Sequence, residues 1–263
     1  MKYSASDILF TVAGVGILLS TLVIWQIVSI TNTLPPTVFP PASEVLASLF
    51  RLLTTKALYE QLLASLIRLF AGFFLAAVIG ICVGVPMGLS RTAEKTGDPL
   101  VQFLRPMPSA VLIPLAILYF GLGDAMIVSI VTYACIWPVL INTIDGVKNI
   151  DTVVLDTARE FKISGFAKIR KVVLPSAAPF IFSGLRVSLG VAWIVEITAE
   201  IISTASTTGI GAAIFQYFNI PNLPPVYATI IFVAVLAYAL NRVFLVIQSK
   251  IIPWHEQSRK RFN

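Results

Sequence analysis

Residues 156–175 read "DTAREFKISGFAKIRKVVLP" and form the most densely charged segment of an otherwise apolar chain. Of the 263 residues, 57% are hydrophobic and 12% are charged, and the mean hydropathy is +0.89. A water-soluble domain needs a largely polar surface and does not have this composition. We therefore predict an integral membrane protein whose charged segment lies outside the lipid.

Six apolar runs are long enough to cross a bilayer, which takes about 20 helical residues. They cover residues 9–31, 65–89, 100–120, 125–146, 178–201 and 224–248. Because lipid offers the backbone no hydrogen-bond partner, each run is predicted to be a helix. The expected fold is all-α and polytopic, with one transmembrane domain over residues 1–263, a core from about 60 to 250 and a cytoplasmic segment at 151–175. Cleavage of the first run as a signal peptide is the alternative there, although the run is longer than a usual signal sequence.

Lysine and arginine lie mainly on one side of these runs. Lys148, Lys168 and Arg170 belong to that side, whereas the other side has only Arg51 and Lys56 clearly in a loop. Because cytoplasmic loops are enriched in these residues, both termini and the charged segment are predicted to be cytoplasmic. The formal charge of +6 is therefore interpreted as a topology signal and not as a nucleic-acid surface.

The charged segment resembles the cytoplasmic signature of ABC importer permeases. That signature is Glu-Ala-Ala, a Gly four residues after the last Ala and, after a gap, Ile-x-Leu-Pro. The matching positions here, with the adjacent break, are Asp156, Thr157, Ala158, Lys162, Gly165, Val172, Leu174 and Pro175. The resemblance implies coupling helices that dock in a groove of a separate ATPase, with the small Ala158 permitting close approach.

Lys162 departs from this signature because it takes the place of the glycine. We expect the break between two short helices to move to Ser164 and Gly165, and Pro175 to stop the second helix. The second helix is amphipathic, so an alternative function for it is to lie on anionic lipid.

Three further stretches extend the resemblance: "RPMPSAVLIPLAILYFGLGD" (105–124), "PSAAPFIFSGLRVSLGVAWIVEITAE" (175–200) and "PWH" (253–255). They are similar to permeases of the nitrate, sulfonate, taurine and bicarbonate importer family. This resemblance implies import of a small solute by alternating access, in a bacterial inner membrane. It also implies four kinds of partner: a second permease subunit, in a homodimer, two ATPase subunits, an extracytoplasmic solute-binding protein and membrane lipids.

The chain has no motif for catalysis or for binding ATP. It contains no G-x-x-x-x-G-K-[ST] loop and no Gly-Lys pair, so ATP and Mg²⁺ are expected on the partner ATPase and no cofactor on this chain. Cys82, Cys135 and the single histidine, His255, form no metal-binding pattern. We therefore expect no catalytic or metal site and no nucleic-acid partner.

Polar and aromatic residues within the apolar runs are candidates for the translocation pathway. They are Glu196, Glu200, Trp193, Pro108, Ser109, Tyr133 and Trp137. Glu196 and Glu200 are one turn apart and share a helix face. They either face the pathway or lie near the outer surface, hydrogen-bonded to the neighbouring loop. Gly209 and Gly211 are predicted to form a turn in that loop.

The charge of these two carboxylates bears on the substrate. If both were ionised in one cavity, they would repel an oxyanion and favour a zwitterionic, cationic or neutral solute. The prolines near Pro108 predict a bent or gate-forming third span, although proline is also common in membrane helices. Tyr133 and Trp137 are one turn apart, and packing against each other is the alternative to lining a pathway.

Two other classes of protein remain open on the residues alone. A secondary carrier would explain six spans without an ATPase, but it leaves the charged signature without a purpose. An intramembrane enzyme needs a nucleophile with a base, or converging metal ligands, and the chain offers only the two carboxylates for such chemistry.

Overall fold

The computed structural model describes residues 5–31, 35, 38–203, 208–220 and 223–253, and the side chains of 5–15 and 18 lie outside this description, as does His255. Every regular element in the described ranges is helical. The helices are α1 (Ala5–Ile30), α2 (Ala42–Leu53), α3 (Lys56–Leu89), α4 (Arg91–Leu104), α5 (Ile113–Phe120), α6 (Asp124–Lys148), α7 (Thr152–Glu160), α8 (Gly165–Lys168), α9 (Leu174–Ile202), α10 (Ile210–Phe218) and α11 (Pro224–Ile251). A 3-10 turn (Ser109–Leu112) precedes α5, and a π-helical turn (Ile169–Val173) joins α8 to α9.

The long apolar helices match the predicted spans closely. Four stretches of the described chain are long and apolar enough to cross a membrane: α3, α6, residues 165–202 and α11. The bent pair of Arg91–Leu104 and Ser109–Phe120 is either a fifth, broken span or a re-entrant loop. The first predicted run corresponds to α1 (Ala5–Ile30), in which Leu19–Ile30 is an apolar stretch whose side chains are described. The all-α membrane fold is confirmed, and the count of six spans stays a prediction.

The third predicted span is bent, as its prolines indicated. The axes of its two helical parts differ by 83° across the break at residues 105–108. Pro106 and Pro108 lie in this break, where each lacks the N–H that would continue a helical ladder. Pro114 lies in the first turn of α5, where a missing N–H has no cost.

By its internal contacts, the chain divides into two compact units. The first comprises Met1–Glu60 and Ala213–Ala234. In it, the rings of Trp25, Phe39 and Tyr227 lie 5.8–6.5 Å apart. The Trp25 indole also donates to the Pro40 carbonyl at 3.1 Å, and the Tyr227 hydroxyl donates to the Val38 carbonyl at 3.0 Å. This unit is therefore held by aromatic packing around the turn that precedes α2.

The second unit comprises Gln61–Ala212 and Val235–Asn263, and small residues bring its helices close together. Gly80, Gly84 and Gly88 recur at every fourth position of α3. A Cβ at any of them would lie 2.6–2.9 Å from side-chain atoms of α6, on Val139, Thr143 and Val147. Where lipid provides no hydrophobic drive for association, such close backbone approach is what holds helices together.

Candidate functional site

The coupling segment, residues 151–175, begins with a well-capped helix. The Asp151 carboxylate accepts a hydrogen bond of 2.8 Å from the Val153 N–H at the start of α7. Asp156 forms an exposed ion pair of 2.7 Å with Arg159. Local side chains therefore specify where α7 begins and support it.

The end of α7 corrects the prediction that the break moves to Ser164 and Gly165. The Lys162 N–H bonds to the Arg159 carbonyl at 2.8 Å, and the Ile163 N–H bonds to the Ala158 carbonyl at 2.9 Å. This pair of bonds closes a helix through one left-handed residue, and Lys162 has φ +52°. The break thus lies at Lys162, where the family signature has glycine, and Gly165, the first residue of α8, is a second left-handed residue with φ +57°.

Pro175 does not stop the second helix, which corrects another prediction. Residues 165–202 form one helical stretch that runs through the π-helical turn into α9. A proline inside an α-helix lacks a hydrogen bond and clashes with the carbonyl four residues earlier. The wider π-helical turn directly before Pro175 changes that bonding pattern, so the helix continues. The coupling segment is therefore continuous with a membrane span.

The inner side of the segment packs on the spans. Val173 is fully buried in an apolar cluster with residues of α3, α6 and α9, and Ile169 and Leu155 pack against that cluster. Ala158 is buried by its own chain at 3% exposure, so its small size serves the fold of the segment itself. Val172 and Leu174 are partly buried, while Asp156, Thr157, Lys162 and Pro175 are exposed.

The outer side of the segment presents apolar side chains to solvent. Phe161 and Phe166 are each 75% exposed, on either side of the break, and Val153 is 68% exposed. Large exposed apolar groups in a segment this rich in charge indicate an interaction surface. Sequence reasoning missed Phe161, and it placed Phe166 on one apolar face with Ile169 and Val173, whereas Phe166 is exposed and Val173 is buried.

A buried ion-pair network joins four elements of the second unit. The Arg68 guanidinium on α3 is bonded to Glu200 on α9 at 2.5 Å and to Asp124, at the start of α6, at 2.7 Å. It also donates to the Thr208 carbonyl, just before α10, at 2.6 Å. Arg68 is 5% exposed and Glu200 is fully buried, so each charge depends on the other for compensation.

The same network caps the start of α10. The Ser65 hydroxyl lies 2.9 Å from both Glu200 carboxylate oxygens and accepts a hydrogen bond from the Ile210 N–H. Glu200 itself accepts a hydrogen bond from the next backbone N–H, that of Gly211, at 2.8 Å. Helix N-terminal N–H groups have no partner within the helix, and a carboxylate there is favourable.

Gly209 and Gly211 are required for close packing against Glu200 and not for the predicted turn. Neither has a positive φ angle. A Cβ on Gly209 would instead overlap the Glu200 carboxylate, and one on Gly211 would approach Glu200 and the Ile197 carbonyl. The glycines let the backbone reach the buried acid.

Glu196 lies one turn before Glu200 and is also fully buried. Its two carboxylate oxygens have no hydrogen-bond partner among the described residues. The predicted shared face of the two acids is thus present, but only Glu200 is bonded to the neighbouring loop. The role of either acid in a pathway stays a prediction.

The aromatic candidates lie beside the break in the third span. Tyr133 and Trp137 contact each other edge to face at 5.5 Å, and the Tyr133 hydroxyl donates to the Leu104 carbonyl at 2.7 Å. Pro108 and Ser109 lie where the chain resumes a helical turn after the break. Trp193 is buried at 5% exposure in α9. The structure therefore brings four of the candidates to one region and leaves Trp193 and the two acids elsewhere on α9.

Three charged residues near these sites were missed by sequence reasoning: Arg68, Arg105 and Asp124. Arg68 and Arg105 lie within the predicted runs 65–89 and 100–120. A charged residue within a span is costly and is a functional candidate by default, so this signal was available.

Known proteins are similar to this chain over most of its length. Residues 76–253 match the family described as binding-protein-dependent transport system inner membrane component. The chain is 31% identical over 247 residues to a taurine transport system permease of Escherichia coli (strain K12), covering 92% of this chain and 89% of that protein. It is 33% identical over 259 residues to a bicarbonate transport system permease of Synechococcus elongatus, covering 95% and 92% of the two chains.

A solved structure shares the fold. A chain of the MetNI methionine ABC transporter, in inward-facing conformations, superimposes with a TM-score of 0.64 and 18% identity, covering 74% of this chain and 96% of that chain. At 18% identity, this match establishes the fold alone. Membership of a family rests on the match of residues 76–253 and on the two relatives above. The chain belongs to the binding-protein-dependent transport system inner membrane component family.

Proposed function

We propose that this chain is the membrane-spanning subunit of an ATP-driven importer for a small solute that carries an anionic group. Its family is one of multi-pass inner membrane transport components, which are not catalysts. Two relatives are named for taurine, which bears a sulfonate, and for bicarbonate. These names support an oxyanion as the recognised group here.

The observation that carries the proposal is the two-sided construction of the coupling segment. Phe161 and Phe166 face solvent, while Val173 on the same segment is fully buried against three spans. A partner that holds the exposed side would therefore move the spans through the packed side chains of Leu155, Ile169 and Val173. This is what coupling to a separate ATPase requires.

The remaining parts of the assembly follow from the family. The proposed complex contains two permease subunits around a shared pathway, two ATPase subunits on the cytoplasmic side, and a solute-binding protein outside. ATP and Mg²⁺ would bind to the ATPase subunits. Both termini of this chain would be cytoplasmic, as the distribution of Lys and Arg predicts.

The buried network removes the reason to exclude an oxyanion. That reason was the repulsion from two ionised carboxylates in one cavity. Glu200 is matched by Arg68 at 2.5 Å, and Glu196 and Glu200 have no exposed surface. Because Arg68 compensates the charge of Glu200 and neither carboxylate is exposed to a solute, an anionic solute is compatible with this face of α9.

The test is reconstitution of the tagged chain with the ATPase and binding protein encoded next to it. We expect the ATPase to co-purify and proteoliposomes to accumulate taurine, bicarbonate or nitrate only when ATP and the binding protein are present. Uptake by the chain alone under an ion gradient would contradict the proposal and identify a secondary carrier.

A further inference from the structure

An apolar groove of about 350 Å³ lies between α3, α9 and α11 in the second unit. Every residue that lines it is apolar, and five of them are phenylalanines: Phe70, Phe73, Phe74, Phe182 and Phe244. The side formed by α11 extends from Leu240 to Ile251. The groove therefore offers an occupant apolar contacts alone.

Contacts between side chains hold the walls of the groove in place. The rings of Phe182 on α9 and Phe244 on α11 lie 5.9 Å apart. Beside them, the Arg186 guanidinium donates to the Asn241 side-chain oxygen at 3.2 Å, which also joins α9 to α11. The groove is thus bounded by helices that contact each other.

The groove opens to the surroundings of the spans. Phe74 is 61% exposed, Val243 is 54% exposed and Ile247 is 46% exposed, and all three line it. They belong to α3 and α11, which are long and apolar enough to cross a membrane. The open side therefore meets lipid or another membrane helix.

The dimensions of the groove fit one hydrocarbon chain. From Leu240 to Ile251, α11 rises about 16 Å, and one leaflet of the hydrocarbon core is about 15 Å thick. A volume of about 350 Å³ over that length gives a cross-section about a quarter of that of an α-helix, which is about 10 Å wide with its side chains. The space is therefore too narrow for a helix of a second copy and long enough for an acyl chain.

The position of the groove indicates which leaflet supplies the chain. On α9, Phe182 and Leu185 lie in the half that directly follows the coupling segment, and Ile251 is the last residue of α11. Its neighbour Lys250 is exposed. A lysine at the end of a span extends its ammonium to the membrane surface, where it attracts anionic lipid.

We propose that this groove binds one acyl chain of an anionic phospholipid from the cytoplasmic leaflet, with the phosphate of that lipid at Lys250. The bound chain contacts α9, which continues from the coupling segment. The lipid therefore lies against the span that the ATPase is proposed to move. The site goes beyond the proposed function and does not depend on the identity of the solute.

The test is the amount of phospholipid that the full chain retains after purification and washing in detergent, measured by mass spectrometry of the extracted lipid. The source membrane contains anionic phosphatidylglycerol and zwitterionic phosphatidylethanolamine. Ile247→Trp should lower the retained phospholipid about tenfold, because the larger side chain takes the space of the acyl chain. Val246→Trp is the matched control, since Val246 is 55% exposed on the same helix but does not line the groove, and it should retain lipid at the wild-type level.

Lys250→Gln tests the position of the phosphate. It should lower the retained phosphatidylglycerol about fivefold, because one lysine near the membrane surface loses its attraction for the anionic lipid. The retained phosphatidylethanolamine should change less.

The midpoint of thermal unfolding reports whether each variant is folded. If Ile247→Trp is not, Val243→Phe adds a smaller group to the groove and should lower the retained phospholipid about threefold. The inference is overturned if the folded wild type retains no phospholipid, if Ile247→Trp retains as much as Val246→Trp, or if Lys250→Gln retains phosphatidylglycerol at the wild-type level. Separation of two permease copies by Ile247→Trp, with no lipid in the wild type, would assign the groove to the second copy and would also overturn it.

Discussion

The coupling segment and the buried ion-pair network lie in the same unit but differ in their exposure and in how far apart their residues are in the sequence. The coupling segment occupies consecutive residues and presents Phe161 and Phe166 to solvent. The network joins Arg68 to Glu200, 132 positions apart, and hides both from solvent. One region offers contacts that await a partner, and the other contains contacts already satisfied within the chain.

This difference explains which substitutions each region tolerates. The coupling segment has Asp and Thr where the family signature has Glu and Ala, and these side chains lie on its exposed side. The network cannot lose one charged member without leaving another buried and unpaired. The comparison predicts large stability effects in the network and small ones in the coupling segment.

The largest expected effect comes from breaking the buried pair. Glu200→Gln leaves Arg68 with one partly exposed partner, Asp124, and should lower the free energy of unfolding by about 3 kcal/mol. Glu60→Gln is the control, because Glu60 forms an exposed pair with Lys56 and should show no measurable change. The midpoint of thermal unfolding in detergent compares the two variants. Equal midpoints would show that the network does not support the fold.

A smaller effect is expected from Gly209→Ala. Its Cβ would overlap the Glu200 carboxylate, and such overpacking costs about 1–3 kcal/mol. Gly190→Ala, in α9 with open space around the site, should instead leave stability unchanged or raise it by up to about 1 kcal/mol. Thermal unfolding of both variants measures the contrast. A Gly209→Ala protein as stable as wild type would show that the loop does not need to approach Glu200.

The smallest effect, and of opposite sign, is expected at the coupling segment. Lys162 has φ +52°, so Lys162→Gly should stabilise the end of α7 by about 1 kcal/mol. Lys168→Gly, in the right-handed backbone of α8, should destabilise by a similar amount. Hydrogen exchange of the amides in residues 152–168 reports both changes. A loss of protection in Lys162→Gly would contradict the left-handed helix end.

Much of the fold could be predicted from the sequence because the spans, the charged segment and the bend depend on residues that are neighbours in the sequence. Apolar runs predicted α6, α9 and α11 to within about four residues, with α6 at Asp124–Lys148 against the predicted 125–146, whereas α3 begins at Lys56 and not at the predicted residue 65. The charged segment was found by its spacing. The prolines near Pro108 correctly predicted the bend of 83°.

Other features depend on contacts between distant residues or on backbone angles, which a sequence does not display. Nothing near Arg68 in the sequence indicates its bond to Glu200. Lysine rarely adopts the left-handed conformation, so composition predicted the break beyond Lys162 when it is in fact at that residue. The charge of Arg105 was visible within an apolar run, but its position at the break between two helices became apparent only from the structure.

The central claim is that the exposed side of the coupling segment holds the ATPase while the network separately supports the fold. The most direct measurement is the ratio of ATPase to permease recovered with the double variant Phe161→Ser and Phe166→Ser, together with its unfolding midpoint. The control is Phe50→Ser, a phenylalanine 67% exposed on α2. The distribution of Lys and Arg predicts that the loop with its neighbour Arg51 is not cytoplasmic. We predict a double variant with the wild-type midpoint and at least about tenfold less ATPase, because exposed aromatic residues often dominate such contacts. A double variant that retains the ATPase at the wild-type ratio would contradict the account.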